Sequence, residues 1–232
     1  MDLVCSILAG VVLLGYNLLL FLRYKRDPLS VFLGLNIKLR ERWALRILEQ
    51  ESRAITAVQT LRNSEIVATI MSTGAIAAGS AILNLAANTK DSFQRDKMYA
   101  FSGCLFASFC ALLLQIRALN HASFMTTLGS TPEVKINEEL QLNLQLVPPI
   151  DLSEEKGELL DDQQIAEAKI REFRKRKALG FVKMVVRAEV FFSIGFRLIF
   201  MAISLAFWIF GSIWFLISAV GIVILLIIND NV

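Results

Sequence analysis

Apolar residues along this chain fall into long blocks rather than the short alternations of a soluble fold. Residues Leu3 to Leu22, Ile66 to Ala86 and Tyr99 to Leu119 each form a run with almost no charge. A fourth block, Phe191 to Ile228, carries no charge for more than thirty residues after Arg197, well beyond the roughly 18 that suffice for a membrane span. This pattern predicts an all-α, polytopic membrane helical bundle with about four transmembrane helices plus amphipathic cytoplasmic helices. The expected spans are 3-22, 66-86, 99-119 and 198-228, with cytoplasmic segments 23-65 and 120-190, all in a single membrane domain, 1-232. No basic stretch precedes the first run and no small-residue cleavage site follows it; it meets Arg23, Lys25 and Arg26 directly. An uncleaved first span is therefore expected rather than a signal peptide.

Between the blocks, two segments read as helices at the membrane surface. Asp27-Pro28 ends the first helix, because proline disfavours helical geometry in the residue before it. In residues 36–62, Trp43, Ala44, Ile47, Leu48, Ala54, Ile55, Val58 and Leu61 recur at three- and four-residue steps among Arg40, Arg42, Arg46 and Arg53. Such a helix lies on anionic headgroups or packs on its own bundle. Leu140, Leu142, Leu144 and Leu146 alternate with polar residues and suggest a short strand. An acidic run from Asp151 to Asp162 follows. The basic helix after it carries Lys169, Arg171, Arg174, Lys175, Arg176 and Lys177, candidates for contact with anionic lipid.

Within the spans, small residues four apart let helix backbones approach closely in lipid. Ala68 and Ser72, Gly74 and Ala78, Ala75 and Gly79, and Ala77 and Ala81 are such pairs; Gly103, Ala107 and Ala111 supply a matching stripe. Spans two and three should therefore form a tight antiparallel hairpin. The last block is too long for one crossing: Leu198 to Ile228 would extend about 46 Å as a helix, against a hydrocarbon core of roughly 30 Å. A single long, tilted helix is the expectation here, with a two-arm hairpin turning near Gly211-Ser212 as the alternative. No proline marks a turn.

Charge distribution sets the orientation. Nine Lys and Arg residues fall between spans one and two, three between two and three, and ten in the long connection after span three. The positive-inside bias then puts the first and long connections in the cytoplasm and the N-terminus on the non-cytoplasmic side of a plasma membrane or endomembrane. Arg62, Asn63 and Glu65 are expected at the cytoplasmic mouth of span two. Arg117, Asn120 and His121 share one helix face at the same end of span three, and Arg197 enters the last span from that side. These seven residues form the candidate functional layer, with Arg117 or Arg197 pairing with Glu65. Ionisable groups at membrane depth are costly and commonly functional, although arginines at helix ends also simply snorkel to the interface.

Several chemistries are excluded. Three cysteines dispersed in apolar segments make neither a disulfide framework nor a metal site, and one histidine rules out a multi-His centre. No phosphate loop or nucleophile elbow is present. The expectation is no enzyme, no cofactor, no metal and no nucleic acid. The expected partners are the lipid bilayer, its anionic headgroups and further copies of the chain. The function expected is a non-catalytic helical module acting through lipid or protein contacts at the cytoplasmic face. The alternative is an oligomeric channel or small-solute or anion transporter lined by Arg117, His121 and Arg197.

Three sequence blocks also carry a resemblance. The run SIGFRLIFMAISLAFWIFGS, with Gly195, Arg197, Trp208, Phe210 and Gly211, is similar to the C-terminal signature of a plant and bacterial membrane family, domain of unknown function 599. It departs from that pattern in Ser212, where proline is usual, and in Ile199, where an aromatic is common. AVQTLRNSEIVATIMSTGAI (Ala57 to Ile76) and IRALNHASF (Ile116 to Phe124) resemble two further blocks of the family, in the same order. The resemblance implies a multi-span membrane protein and no particular activity. The missing proline argues against a sharp turn at Gly211.

Overall fold

The computed structural model describes residues 2–49, 54–127 and 156–230. Among these residues the chain is helical: α1 (Asp2–Arg26), a 3-10 turn (Pro28–Ser30), α2 (Phe32–Glu49), α3 (Ala54–Asn88), α4 (Ser92–Thr127), α5 (Lys156–Phe210) and α6 (Ser212–Asp230). Four segments are long and apolar enough to cross a membrane, namely Leu3–Arg26, Ile55–Asn88, Ser92–Thr126 and Ala178–Phe210; Ser212–Ile228 is a shorter apolar helix. Their outward faces carry large apolar side chains such as Leu14, Leu18, Ile70 and Ile224, which are exposed in the protein alone. That surface suits lipid, not water. The strand expected at Leu140–Leu146 and the start of the acidic run lie outside the described residues, as do the side chains of Lys169 to Lys177, whose backbone is part of α5.

The hairpin of α3 and α4 is the centre of the bundle. Asp91 caps α4, its carboxylate accepting from the Phe93 N–H at 3.0 Å, so only three residues join the two helices. Buried small residues on α3 (Ala68, Ser72, Ala75, Gly79) face α4, as two of the four predicted pairs require. Gly74, Ala77, Ala78 and Ala81 instead face outward, and so do Gly103 and Ala107. The stripe α4 presents is Ser102, Leu105 and Ser108: the Ser102 hydroxyl donates to the Gly79 carbonyl at 2.8 Å, and Ser108 donates to the Gly195 carbonyl of α5 at 2.7 Å. A methyl group added at Gly195 would lie 2.8 Å from Leu112 Cγ, so this glycine allows α4 and α5 their close approach.

The segment 36–62 is not one helix. Residues from Ala54 onward belong to the helix that continues through the second span, because Ala57, Leu61 and Ala68 prolong a single buried face. α2 packs on the bundle: Ala44 joins Leu61, Leu119, Ala122 and Phe181 in a buried cluster, with the Trp43 ring 6.5 Å from Phe181. Of the two readings of this amphipathic segment, α2 takes the second.

The single long helix expected for the last block is also overturned. α5 ends at Phe210, and Gly211 takes φ +150, a conformation that L side chains rarely adopt. The turn thus needs glycine and forms without the proline. Ser212 begins α6, a position where proline is favoured but not required. α6 runs back along α5, Trp208 stacking on Phe215 at 5.2 Å, and lies parallel to α1 through the buried cluster of Ala9, Leu13, Phe215 and Ala219. Trp208 Nε1 donates to Ser6 Oγ at 3.0 Å, tying this turn to the start of α1. Five apolar helices therefore stand side by side. The start of α1, the α3–α4 link and the Gly211 turn lie at one end; the α1–α2 joint and the end of α6 lie at the other.

Candidate functional site

Interhelical hydrogen bonds fix the level of each charged group. Ser102 lies opposite Gly79, which sets Arg62 level with Leu119 and Glu65 level with Ile116. The predicted gathering of Arg62, Asn63 and Glu65 with Arg117, Asn120 and His121 at one end of the hairpin is thus present in the register. Arg62, Asn63, Arg117, Asn120 and His121 are exposed, and no ion pair joins Glu65 to Arg117 among the described residues.

Arg197 is not in that layer. Ser108 bonds Gly195 and Cys104 bonds Leu198, so Arg197 stands opposite residues 105–106 of α4. Arg117 to His121 lie 11–16 residues further along that helix, about 16–24 Å away at 1.5 Å per residue. Glu65 is not its partner either. Arg197 Nη2 donates to Asp230 Oδ2 at 2.6 Å, and the Tyr16 hydroxyl donates to the same oxygen at 2.6 Å. The hairpin explains the correction: the turn at Gly211 brings a carboxylate 33 residues later in sequence back to the level of Arg197.

The pair sits deep. Arg187 is the next basic residue of α5 towards the basic end, ten residues away, or about 15 Å along the helix. Side chains of Arg197 and Asp230 keep only 14% and 7% of their exposure. Charges so placed are tolerated when each has a partner; removing one leaves the other desolvated.

A second pair, between buried Glu189 and half-buried Arg40, stands two turns nearer the basic end. Glu189 accepts from Arg40 Nε at 2.6 Å through Oε2 and from Asn36 Nδ2 at 2.8 Å through Oε1, both on α2. Glu189, Ser193 and Arg197 recur every four residues and so line one face of α5. They border a cleft of about 200 Å³ walled by Phe32, Phe192, Phe196 and Leu226 and reaching Asp230. A second cleft of about 310 Å³, on the other side of Asp230, is bordered by Tyr16, Arg23 and Val31. Arg197 Nη1 is buried and meets no hydrogen-bond partner among the described residues. No group of His, Cys, Asp and Glu suited to a metal ion occurs among the described residues.

Tyr16, Asn36, Arg40, Glu189, Ser193 and Asp230 were not among the expected site residues. One signal was present: Glu189, Ser193 and Arg197 are spaced i, i+4, i+8 in an otherwise apolar stretch. Asp230, an acid just past a long apolar run, was the other.

No curated protein and no solved structure matches the chain. A family model does, over nearly its whole length, in keeping with the blocks around Arg62, Arg117 and Arg197 and with four helices suited to crossing a membrane. The chain belongs to the family described as Protein of unknown function, DUF599, matched over residues 4–232.

Proposed function

We propose that this chain is a non-catalytic multi-pass membrane protein that acts through its basic end, where it holds anionic lipid headgroups on the cytoplasmic side. The observation that carries this reading is the contrast between two sets of charges. Arg40, half-buried between α2 and α5, and Arg197, inside the bundle, are each neutralised by a carboxylate. Arg62, Arg117 and His121 stand exposed at one level, without an ion-pair partner among the described residues. Guanidinium groups suit phosphate, and each basic residue near an anionic surface contributes about 1 kcal/mol. The abundance of Lys and Arg at this end supports a cytoplasmic location through the positive-inside bias.

The channel alternative is less well supported. Arg117 and His121 are separated from Arg197 by about 16–24 Å, so the three do not make one ring, and Arg197 is engaged by Asp230.

Retention of lipid by the purified protein tests the proposal. In mixed micelles of phosphatidylserine and phosphatidylcholine, mass spectrometry of the intact complex should find the anionic lipid preferentially bound. The R62Q/R117Q variant should lose about 2 kcal/mol of that preference, roughly 30-fold. Equal retention of both lipids by the parent protein would refute the reading.

A further inference from the structure

At the end of the bundle opposite the basic layer, α4 carries a lysine that is packed rather than solvated. Lys97 keeps only 4% of its exposure. Its Nζ stands 4.4 Å from the centroid of the Phe93 ring and 5.6 Å from that of Trp208. The two rings meet edge to face at 6.3 Å, and Trp208 is itself fixed by its bond to Ser6 and by stacking on Phe215. The ammonium is thus held in a rigid aromatic corner.

No carboxylate neutralises it. Among the described residues Lys97 makes neither an ion pair nor a hydrogen bond. Asp91 is engaged by the Phe93 N–H, and Asp96 is exposed, on another side of the helix from its chain neighbour. Gln94 Oε1, one turn back, is buried and accepts from nothing. Nor is the ammonium sealed in: Nζ is not among the unpartnered polar atoms closed off from the surface. Ring faces attract a cation, but they replace only part of the hydration that an ammonium loses on burial. The group this corner lacks is an anionic oxygen at its opening. Its level names the source. Phe93, Phe210 and Trp214 are exposed at this end, and aromatic side chains so placed sit at the level of lipid headgroups.

We propose that Lys97 holds the phosphate of a phospholipid in the leaflet opposite the basic end, with Phe93 and Trp208 fixing the ammonium that receives it. Lysine binds phosphate as a compact point charge with three rotatable donors. The contact is to the phosphodiester itself, so a lipid of no net charge serves. This separates the site from the Arg62 and Arg117 layer, which selects anionic lipid.

Dioleoylphosphatidylcholine is the probe, because it carries the phosphate without a net charge. Its binding to the detergent-solubilised protein is followed by mass spectrometry of the intact complex. The reference is monogalactosyl dioleoylglycerol, which has the same chains and an uncharged, phosphate-free headgroup. The phospholipid should bind about 10- to 100-fold more tightly, the range expected for a hydrogen bond from a charged donor. Lys97→Met, which keeps the length and the apolar stem, should erase that preference, whereas K97R should preserve it. R62Q/R117Q should leave it unchanged, and inorganic phosphate in excess should not displace the lipid. In W43F/W214F protein Trp208 is the remaining tryptophan. A phosphatidylcholine with a nitroxide on its headgroup should quench its emission saturably, with relief by unlabelled phosphatidylcholine and not by the galactolipid. Equal binding of the two lipids by the parent, undiminished preference in a folded K97M protein, loss of the preference in R62Q/R117Q, displacement by inorganic phosphate, or absence of saturable quenching would each overturn the proposal.

Discussion

Asp230→Asn should destabilise the protein by about 3–5 kcal/mol, the usual cost of removing one partner from a buried ion pair. Asparagine keeps the shape and can still accept from Tyr16, but it leaves Arg197 with an uncompensated charge among apolar neighbours on α5 and α6. The size of the effect comes from Arg197 rather than from the lost bond, so a second substitution should repair it. In R197M/D230N no charge remains at this position, and replacing a buried pair by neutral residues is often neutral or stabilising. A double-mutant cycle on thermal unfolding in detergent isolates the coupling. Single variants that are each strongly destabilised, with a double variant close to the parent, are the expected pattern. Singles that each cost under about 0.5 kcal/mol, the level of an ordinary surface change, would mean that the pair is solvated and that α6 does not return to α5.

Gly34→Ala should be as damaging, for a different reason. At the joint between α1 and α2, Asp27 adopts an extended conformation (φ −143, ψ 96), its carboxylate accepts from the Leu29 N–H, and Pro28 starts the short 3-10 turn. This folds the chain back so tightly that a methyl on Gly34 would stand 1.7 Å from the Pro28 carbonyl oxygen. The obstacle is backbone, so no side-chain rotation relieves it, and the joint must open. Overpacking commonly costs about 1–3 kcal/mol, and a backbone clash belongs at or above the top of that range. Opening the joint would also carry Asn36 and Arg40 away from Glu189. Gly10→Ala and Gly221→Ala are the controls, because a methyl at either meets nothing within 4 Å. Thermal unfolding of the three variants should separate Gly34→Ala from two nearly silent changes.

The helical, membrane-type architecture was legible because charge-free runs of this length fit little besides a bilayer, and the α3–α4 hairpin because small residues recur every four positions. Which face of each helix meets a partner was not legible. Gly74–Ala78 and Ala75–Gly79 have the same spacing, yet only the second pair is buried, since the choice is made by where Ser102 and Ser108 find carbonyls on the neighbouring helices. Arg197 stood out as a charge at the edge of an apolar block, but its partner could not be found by proximity. Asp230 is 33 residues away and reaches Arg197 only because Gly211 reverses the chain. Glycine occurs freely within membrane helices, so without proline beside it Gly211 gave no clear mark of a turn. The common level of Arg62 and Arg117 follows from the short link between α3 and α4, whereas the level of Arg197 depends on how far α5 slides along α4, which no spacing in the sequence reveals.

The Arg197–Asp230 pair exists only if α6 runs back along α5 from the Gly211 turn. Thiol accessibility measures this directly. In a background where Cys5, Cys104 and Cys110 are serine, single cysteines at Lys25, Asn88 and Phe210 are exposed to a membrane-impermeant maleimide on sealed vesicles of one orientation. The return of α6 predicts that positions 88 and 210, beside the α3–α4 link and the Gly211 turn, are labelled from one side and position 25 from the other. Protection of position 210 from both sides, as in one continuous crossing helix, would contradict it.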